Sequence, residues 1–163
     1  MTSVSSKFRH AGSILAGLAL VTLASAPALA QQPSKADMAI KYRQSAYYLL
    51  AWNIGPLGAM AQGKVPYDAK LFERNATRMS QISAMLLEGF PPESKTGTTA
   101  TTKARPEIWT NFDDFKAKMA DLQKATAKLA EASKSGDLKR AAPVMQEVGN
   151  ACKACHDKYK DKD

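Results

Sequence analysis

The residues best equipped for chemistry stand near the end of the chain, in the run Cys152-Lys153-Ala154-Cys155-His156. At roughly 100° per residue on a helix, Cys155 falls about 60° to one side of Cys152 and His156 about 40° to the other, so the three side chains share a face. Two thiols followed at once by an imidazole form the attachment pattern of a c-type haem: the thiols add to the porphyrin vinyl groups and the imidazole ligates the iron. Other chemistries fit less well. A structural zinc site needs four nitrogen or sulfur ligands, and only three are present in this pentapeptide. A redox-active C-x-x-C pair opens a helix in a βαβ setting, whereas this pair closes a helical chain. A plain disulfide leaves His156 without a role.

The first thirty residues belong to a separate argument. Lys7 and Arg9 precede an apolar stretch from Ala11 to Ala24, and Ala28-Leu29-Ala30 supplies the small residues of a cleavage site before Gln31. This is the pattern of a secretory signal peptide, too short and glycine-containing for a membrane anchor. Residues 1–30 are therefore expected to be removed, leaving 31–163 as the mature chain in the periplasm. Loss of Lys7 and Arg9 from 23 basic residues leaves 21 against 15 acidic ones, a formal charge of +6. His10 is lost as well, so His156 becomes the one histidine. Composition excludes a mature membrane span, a zinc ribbon and a disulfide-built scaffold.

Helices must hold the reactive face in place. The Ala, Lys, Leu, Met and Gln content, with few β-branched residues, favours helix throughout, and four segments carry apolar positions at alternating spacings of three and four. The first reads Ile40, Arg43, Tyr47, Leu50, Ile54, Leu57, with Ser34 as N-cap, Asp37 as its partner and an end near Gly63. The second reads Phe72, Asn75, Met79, Ile82, Leu86, widened by Leu71, Arg78 and Met85, capped by Asp68 and stopped by Phe90 and Pro91-Pro92. The third reads Phe112, Phe115, Met119, Leu122, Thr126, Leu129, Ser133 and stops before Gly136. The fourth starts near Asp137 and reads Met145, Val148, Cys152, Cys155, Tyr159. Pro143 either begins its regular part or kinks it, and Pro56 poses the same alternative in the first helix. Residues 105–109 can add a short turn. Residues 93–104 are threonine-rich and aperiodic, a long surface loop to which the sequence assigns no function. Two of the three connections being short, the economical packing is all-α: an antiparallel up-down-up-down four-helix bundle.

A C-terminal attachment motif on the last helix, together with Lys41-Tyr42-Arg43-Gln44-Ser45 on the first, resembles cytochrome c′, a class II c-type cytochrome family and itself a bundle of this topology. The resemblance spans essentially all of residues 31–163, including Val65-Pro66-Tyr67-Asp68, Ala104-Arg105-Pro106-Glu107-Ile108-Trp109 and residues 149–159. It implies one covalent haem c in the bundle core, held by Cys152 and Cys155, with His156 as the single proximal ligand and the other iron face open against the first helix. It further implies that Arg43 reaches a haem propionate, that Tyr47 takes the distal position, and that Gln44 and Phe90 line the pocket. Lys160 stands where the family often has Arg.

Five-coordinate iron follows if no methionine serves as sixth ligand. Met38 lies nine residues before Tyr47, roughly 13 Å along a helix axis, and Met60 thirteen residues after it. Met79, Met85, Met119 and Met145 fall on or beside apolar seams, where core filling is the default. The expected function is therefore binding of diatomic gases, chiefly NO and CO, with electron transfer to a redox partner protein as a further capacity. The alternative is a low-spin electron carrier whose iron takes a Met from the first helix. No catalytic constellation is evident, and a peroxidase-like site with a distal histidine is unavailable to a mature chain with one. The positive charge does not indicate nucleic acid, because Asp157, Asp161 and Asp163 interleave the lysines around the motif. The resembled family commonly forms homodimers through its first two helices, and Tyr48 and Trp52 suit such a contact.

Overall fold

The computed structural model describes residues 32–162; the segment read as a signal peptide, with its cleavage site, lies outside the described residues. Helix α1 spans Lys35–Ala61, and its start is fixed by Ser34, whose hydroxyl oxygen accepts the Asp37 N–H at 3.0 Å. It ends where Gly63 turns left-handed, at φ 67°, and the Gly63 and Lys64 N–H groups close on the Met60 and Ala59 carbonyls. Helix α2 spans Ala69–Met85, with Asp68 accepting the Leu71 N–H at 3.0 Å. Before Phe90 it tightens into a 3₁₀ turn, Leu86–Gly89. The short turn before the third long helix exists as α3, Glu107–Thr110. Helix α4 spans Phe112–Ser133 and gives way to Gly136, also at φ 67°. Helix α5 spans Leu138–Tyr159, capped by Asp137 on the Lys139 N–H.

Both prolines lie inside their helices: Pro56 within α1 and Pro143 within α5, which begins five residues earlier. Each proline lacks the N–H that would reach the carbonyl four residues back. Those carbonyls belong to Trp52 and Lys139, both exposed residues, where water can take up the freed acceptor.

Four long helices make the bundle. Helix α4 packs closely on α2 and α5, and α1 packs on α2, whereas α1 and α5 make few contacts. Phe72, Leu57, Met79, Phe115, Leu129 and Val148 are fully or almost fully buried. Thr126, a polar residue on the α4 seam, is satisfied there: its hydroxyl lies 2.8 Å from that of Ser83 on α2 and 2.9 Å from the Leu122 carbonyl.

The 93–104 segment is not the simple surface loop that its composition suggests. It enters through a 3₁₀ turn, Pro92–Lys95, with Ser94 fully buried, and then straps the bundle from α1 to the end of α5. Its α1 attachment is Asp37, 1% exposed. The Asp37 carboxylate accepts N–H groups from Thr98, Thr99 and Ala100 at 2.9–3.1 Å, and hydroxyls from Thr98, Thr99 and Ser34. Gly97 is required by close approach, since a Cβ there would stand 2.4 Å from the Ala100 carbonyl oxygen and 2.6 Å from the Asp37 carboxylate. At the other end, Ala104 pairs with Lys160 in an isolated antiparallel bridge. The Arg105 N–H reaches the Tyr159 carbonyl, and the Asp161 N–H reaches the Lys103 carbonyl at 2.9 Å.

The Thr98 hydroxyl above all, then the Ala100 N–H, with further donors from Thr99 and Ser34, hold the Asp37 carboxyl well below the usual carboxylate range against the opposing effect of burial. A depressed carboxyl pKa stabilises the fold above the unfolded value, near 4, and that contribution is lost as pH falls towards the folded value. Asp37→Asn should therefore lower the melting temperature at pH 7 and flatten its decline between about pH 4 and pH 2. Thermal unfolding across that range checks both effects, and equal slopes for the two proteins would exclude the Asp37 contribution.

Candidate functional site

The sparse contact between α1 and α5 leaves a cavity of about 830 Å³, within the range of about 300–1,000 Å³ usual for cofactor and ligand sites. Helix α5 supplies Cys152, Cys155, His156 and Tyr159 to its wall. That convergence follows from helical spacing alone, and Tyr159 is fixed behind the motif by edge-on contact with Phe115, ring centroids 5.3 Å apart. Both cysteines are free thiols, half-buried. Desolvation raises the pKa of Cys152 and pushes that of Cys155 up to about 11, with Lys118 opposing the rise in Cys155. Near pH 7 they are thiols, not the thiolates of a redox-active pair. His156 is exposed as a residue, yet desolvation, helped by the nearby Lys160 charge, lowers its pKa, with Asp157 acting against them. The shift favours the neutral imidazole, the form that can ligate a metal.

Helix α1 supplies the opposite wall through Arg43, Gln44, Tyr47, Leu50, Ala51 and Ile54. Arg43 is 2% exposed. One terminal nitrogen donates to the Gly89 carbonyl and the Ser94 hydroxyl at 3.0 and 2.8 Å. The other donates to the Ser94 carbonyl and the Thr102 hydroxyl at 3.1 and 2.8 Å. Its guanidinium carbon also lies 4.9 Å from the Phe90 ring centre and 5.6 Å from that of Trp109. Gly89 permits this approach, because a Cβ there would stand 2.6 Å from the Arg43 Cβ. Among the described residues no carboxylate pairs with Arg43, so its charge is hydrogen-bonded but not neutralised.

Tyr47 is half-buried, its ring edge-on to Phe90 and its hydroxyl 3.6 Å from the Met119 sulfur. Desolvation first, and then the two cysteine sulfurs, raise its pKa far above that of a free phenol, with Arg43 acting against them. Gln44 lines the mouth, where its amide donates to the Thr101 carbonyl at 2.9 Å. Phe90 is buried and borders the cavity between Arg43 and Phe115. All seven residues singled out from the sequence therefore border one cavity. Its lining includes Arg43, Lys103, Lys118, His156 and Lys160 but no acidic residue. A flat, apolar cofactor carrying carboxylates fits this wall, with thiols and an imidazole on one side and a buried, unneutralised cation on the other.

Comparison with known proteins agrees with this chemistry. The family model for cytochrome C′ matches residues 38–160. The chain belongs to the cytochrome c′ family. Its cofactor is covalent haem c. Cytochrome c′ from Rubrivivax gelatinosus is 41% identical over 131 residues, covering 80% of this chain and all of the relative. A cytochrome c-554 from Cereibacter sphaeroides is 34% identical over 143 residues, covering 87% of this chain and 93% of the relative. The crystal structure of the Rubrivivax protein superposes with a TM-score of 0.75 at 40% identity, covering 80% of this chain and 100% of that one. A nitric oxide complex of a cytochrome c′ variant from Alcaligenes xylosoxidans superposes at 0.72 with 37% identity and the same coverage. No helix among the described residues is long and apolar enough to cross a membrane.

The sequence did not point to the residues that complete the site from a distance. Thr102 and Ser94 sit in the aperiodic segment, and their bonds to Arg43 span 59 and 51 residues. Met119 was legible as a seam position, but nothing in the pattern pairs it with Tyr47, 72 residues away. Lys153 and Lys158, two of the lysines around the motif, are paired with Asp157 and Asp114.

Tyr47→Ala would remove an aromatic ring from contact with Phe90 and the core. It should lower stability by about 3 kcal/mol, the lower end of the usual cost of an aromatic-to-alanine change. Equilibrium denaturation of the haem-loaded protein measures this.

Proposed function

We propose that residues 31–163 form the mature protein, exported to the periplasm, and that it binds neutral diatomic gases, NO and CO, at the open face of a five-coordinate haem iron. Cys152 and Cys155 would carry the thioether bonds, and His156 would be the single axial protein ligand. The haem, when bound, supplies an iron centre able to take a gas ligand or hold an electron. The remaining roles belong to this chain's own side chains. Arg43 would pair with a propionate, a role supported by its burial without a carboxylate. Phe90 packs against Arg43 and closes the apolar wall, and Gln44 ties the strap to the cavity mouth. Tyr47 would stand on the distal side as a steric gate, its ring edge-on to Phe90 and its hydroxyl on the Met119 sulfur. Lys160 borders the His156 side of the cavity.

One observation carries the five-coordinate reading: the α1 wall of the cavity contains no methionine. Met38 is exposed, and neither it nor Met60 borders the cavity. Met79 and Met119 do border it, from α2 and α4, and the Met119 sulfur already accepts the Tyr47 hydroxyl. The nitric oxide complex of the related Alcaligenes variant supports gas binding. A one-electron carrier with a sixth protein ligand, working with a redox partner, is the competing reading. The exposure of Tyr48 and Trp52, 68% each, along with Leu49, supports a homodimer through α1. Sedimentation giving a monomer at micromolar concentration would remove that part of the proposal.

Acid-acetone extraction should leave the haem colour with the protein, and the double change Cys152→Ser with Cys155→Ser should release it. Adding CO to the reduced protein should shift the Soret band; an unchanged band would mean a sixth protein ligand and favour the electron carrier.

A further inference from the structure

The distal wall holds a hydroxyl whose proton already has an acceptor. Tyr47 and Met119 both border the cavity, and the Tyr47 Oη lies 3.6 Å from the Met119 Sδ. Among the described residues this is the hydroxyl's one hydrogen bond. A thioether is a weak acceptor, but a desolvated phenol has little alternative, and a polar hydrogen left unpaired in an apolar cavity is costly. Met119 is itself held in place: it is 2% exposed, one turn after Phe115 and one turn before Leu122 on the inner face of α4. The sulfur is thus a fixed acceptor, not a mobile one.

We propose that Met119 is a positioning residue of the gas site: its sulfur turns the Tyr47 hydroxyl away from a ligand on the iron, so that Tyr47 acts through bulk and not through hydrogen bonding. The inference rests on the distal placement of Tyr47 proposed above and adds a division of labour to it. The ring fills space, and the neighbouring sulfur determines where its proton goes. Without the sulfur, the best remaining acceptor for the phenol would be the oxygen of a bound diatomic gas. Donation to that oxygen draws electron density towards it, weakening the bond within the gas and holding the ligand longer.

The test uses the haem-loaded protein as its reduced CO adduct, read by the infrared stretch of bound CO and by the CO dissociation rate. Met119→Leu keeps the side-chain volume and removes the acceptor, a change that cores tolerate. It should move the stretch to lower frequency and slow dissociation about 2- to 10-fold, the range corresponding to one ordinary net hydrogen bond. The double variant Tyr47→Phe with Met119→Leu should return both readings to those of Tyr47→Phe alone. An unchanged stretch and rate in Met119→Leu would overturn the proposal, and so would a shift that persists in the double variant. Tyr47→Ala separates the two levels of the argument. If it leaves CO association unchanged, the distal placement fails and the inference falls with it. If it speeds association while Met119→Leu has no effect, the gate stands and the role of Met119 alone is refuted.

Discussion

Burying the Arg43 guanidinium is the constraint around which the cavity end of the bundle is arranged. A buried cation must find acceptors for its donors, and Arg43 takes them from three segments: Gly89 at the end of the 3₁₀ turn after α2, Ser94 in the next turn, and Thr102 in the strap. Phe90 and Trp109 present ring faces to the same group. One side chain on α1 therefore dictates the absence of a Cβ at residue 89, the burial of Ser94 and the path of the chain past Thr102. What these neutral acceptors leave unmet is a negative charge, and the proposed propionate contact rests on that.

Asp37 and Arg43 lie six residues apart on α1, carry opposite charges and are both buried, yet they are not joined. Each is satisfied by the strap instead, Asp37 by residues 98–100 and Arg43 by Ser94 and Thr102. The cation keeps its unbalanced charge for the cavity, while the anion is saturated by N–H and O–H donors and has little left to attract it. A direct ion pair would have neutralised the one buried cation that α1 presents to the cavity. Hydrogen bonding through the strap lets one helix hold both charges without that loss.

Legibility in the sequence follows the range of the interactions. The bundle could be read because helix pairing leaves a period of three and four in the chain, and the shared face of Cys152, Cys155 and His156 could be read because the three lie within one and a half turns. Tyr47, Arg43 and Phe90 stood out through seam position and family likeness. The strap could not be read, since a segment with no repeating geometry has no period and its partners lie on distant elements. Asp37 shows both cases: its cap contact with Ser34 was visible three residues away, while its bonds to residues 98–100 were not. The prolines were undecidable because a helix can pass through one wherever water takes up the freed carbonyl, which depends on exposure and not on local sequence.

The bridge between Ala104 and Lys160, with the Asp161 N–H on the Lys103 carbonyl, ends α5 on another part of the chain and not in solvent. The end of α5 is joined by it to the strap, and the strap in turn to α1 at Asp37. The last turn of α5 also carries His156, whose carbonyl accepts the Lys160 N–H, so the residue that closes the helix and the residue that pairs with the strap are the same one.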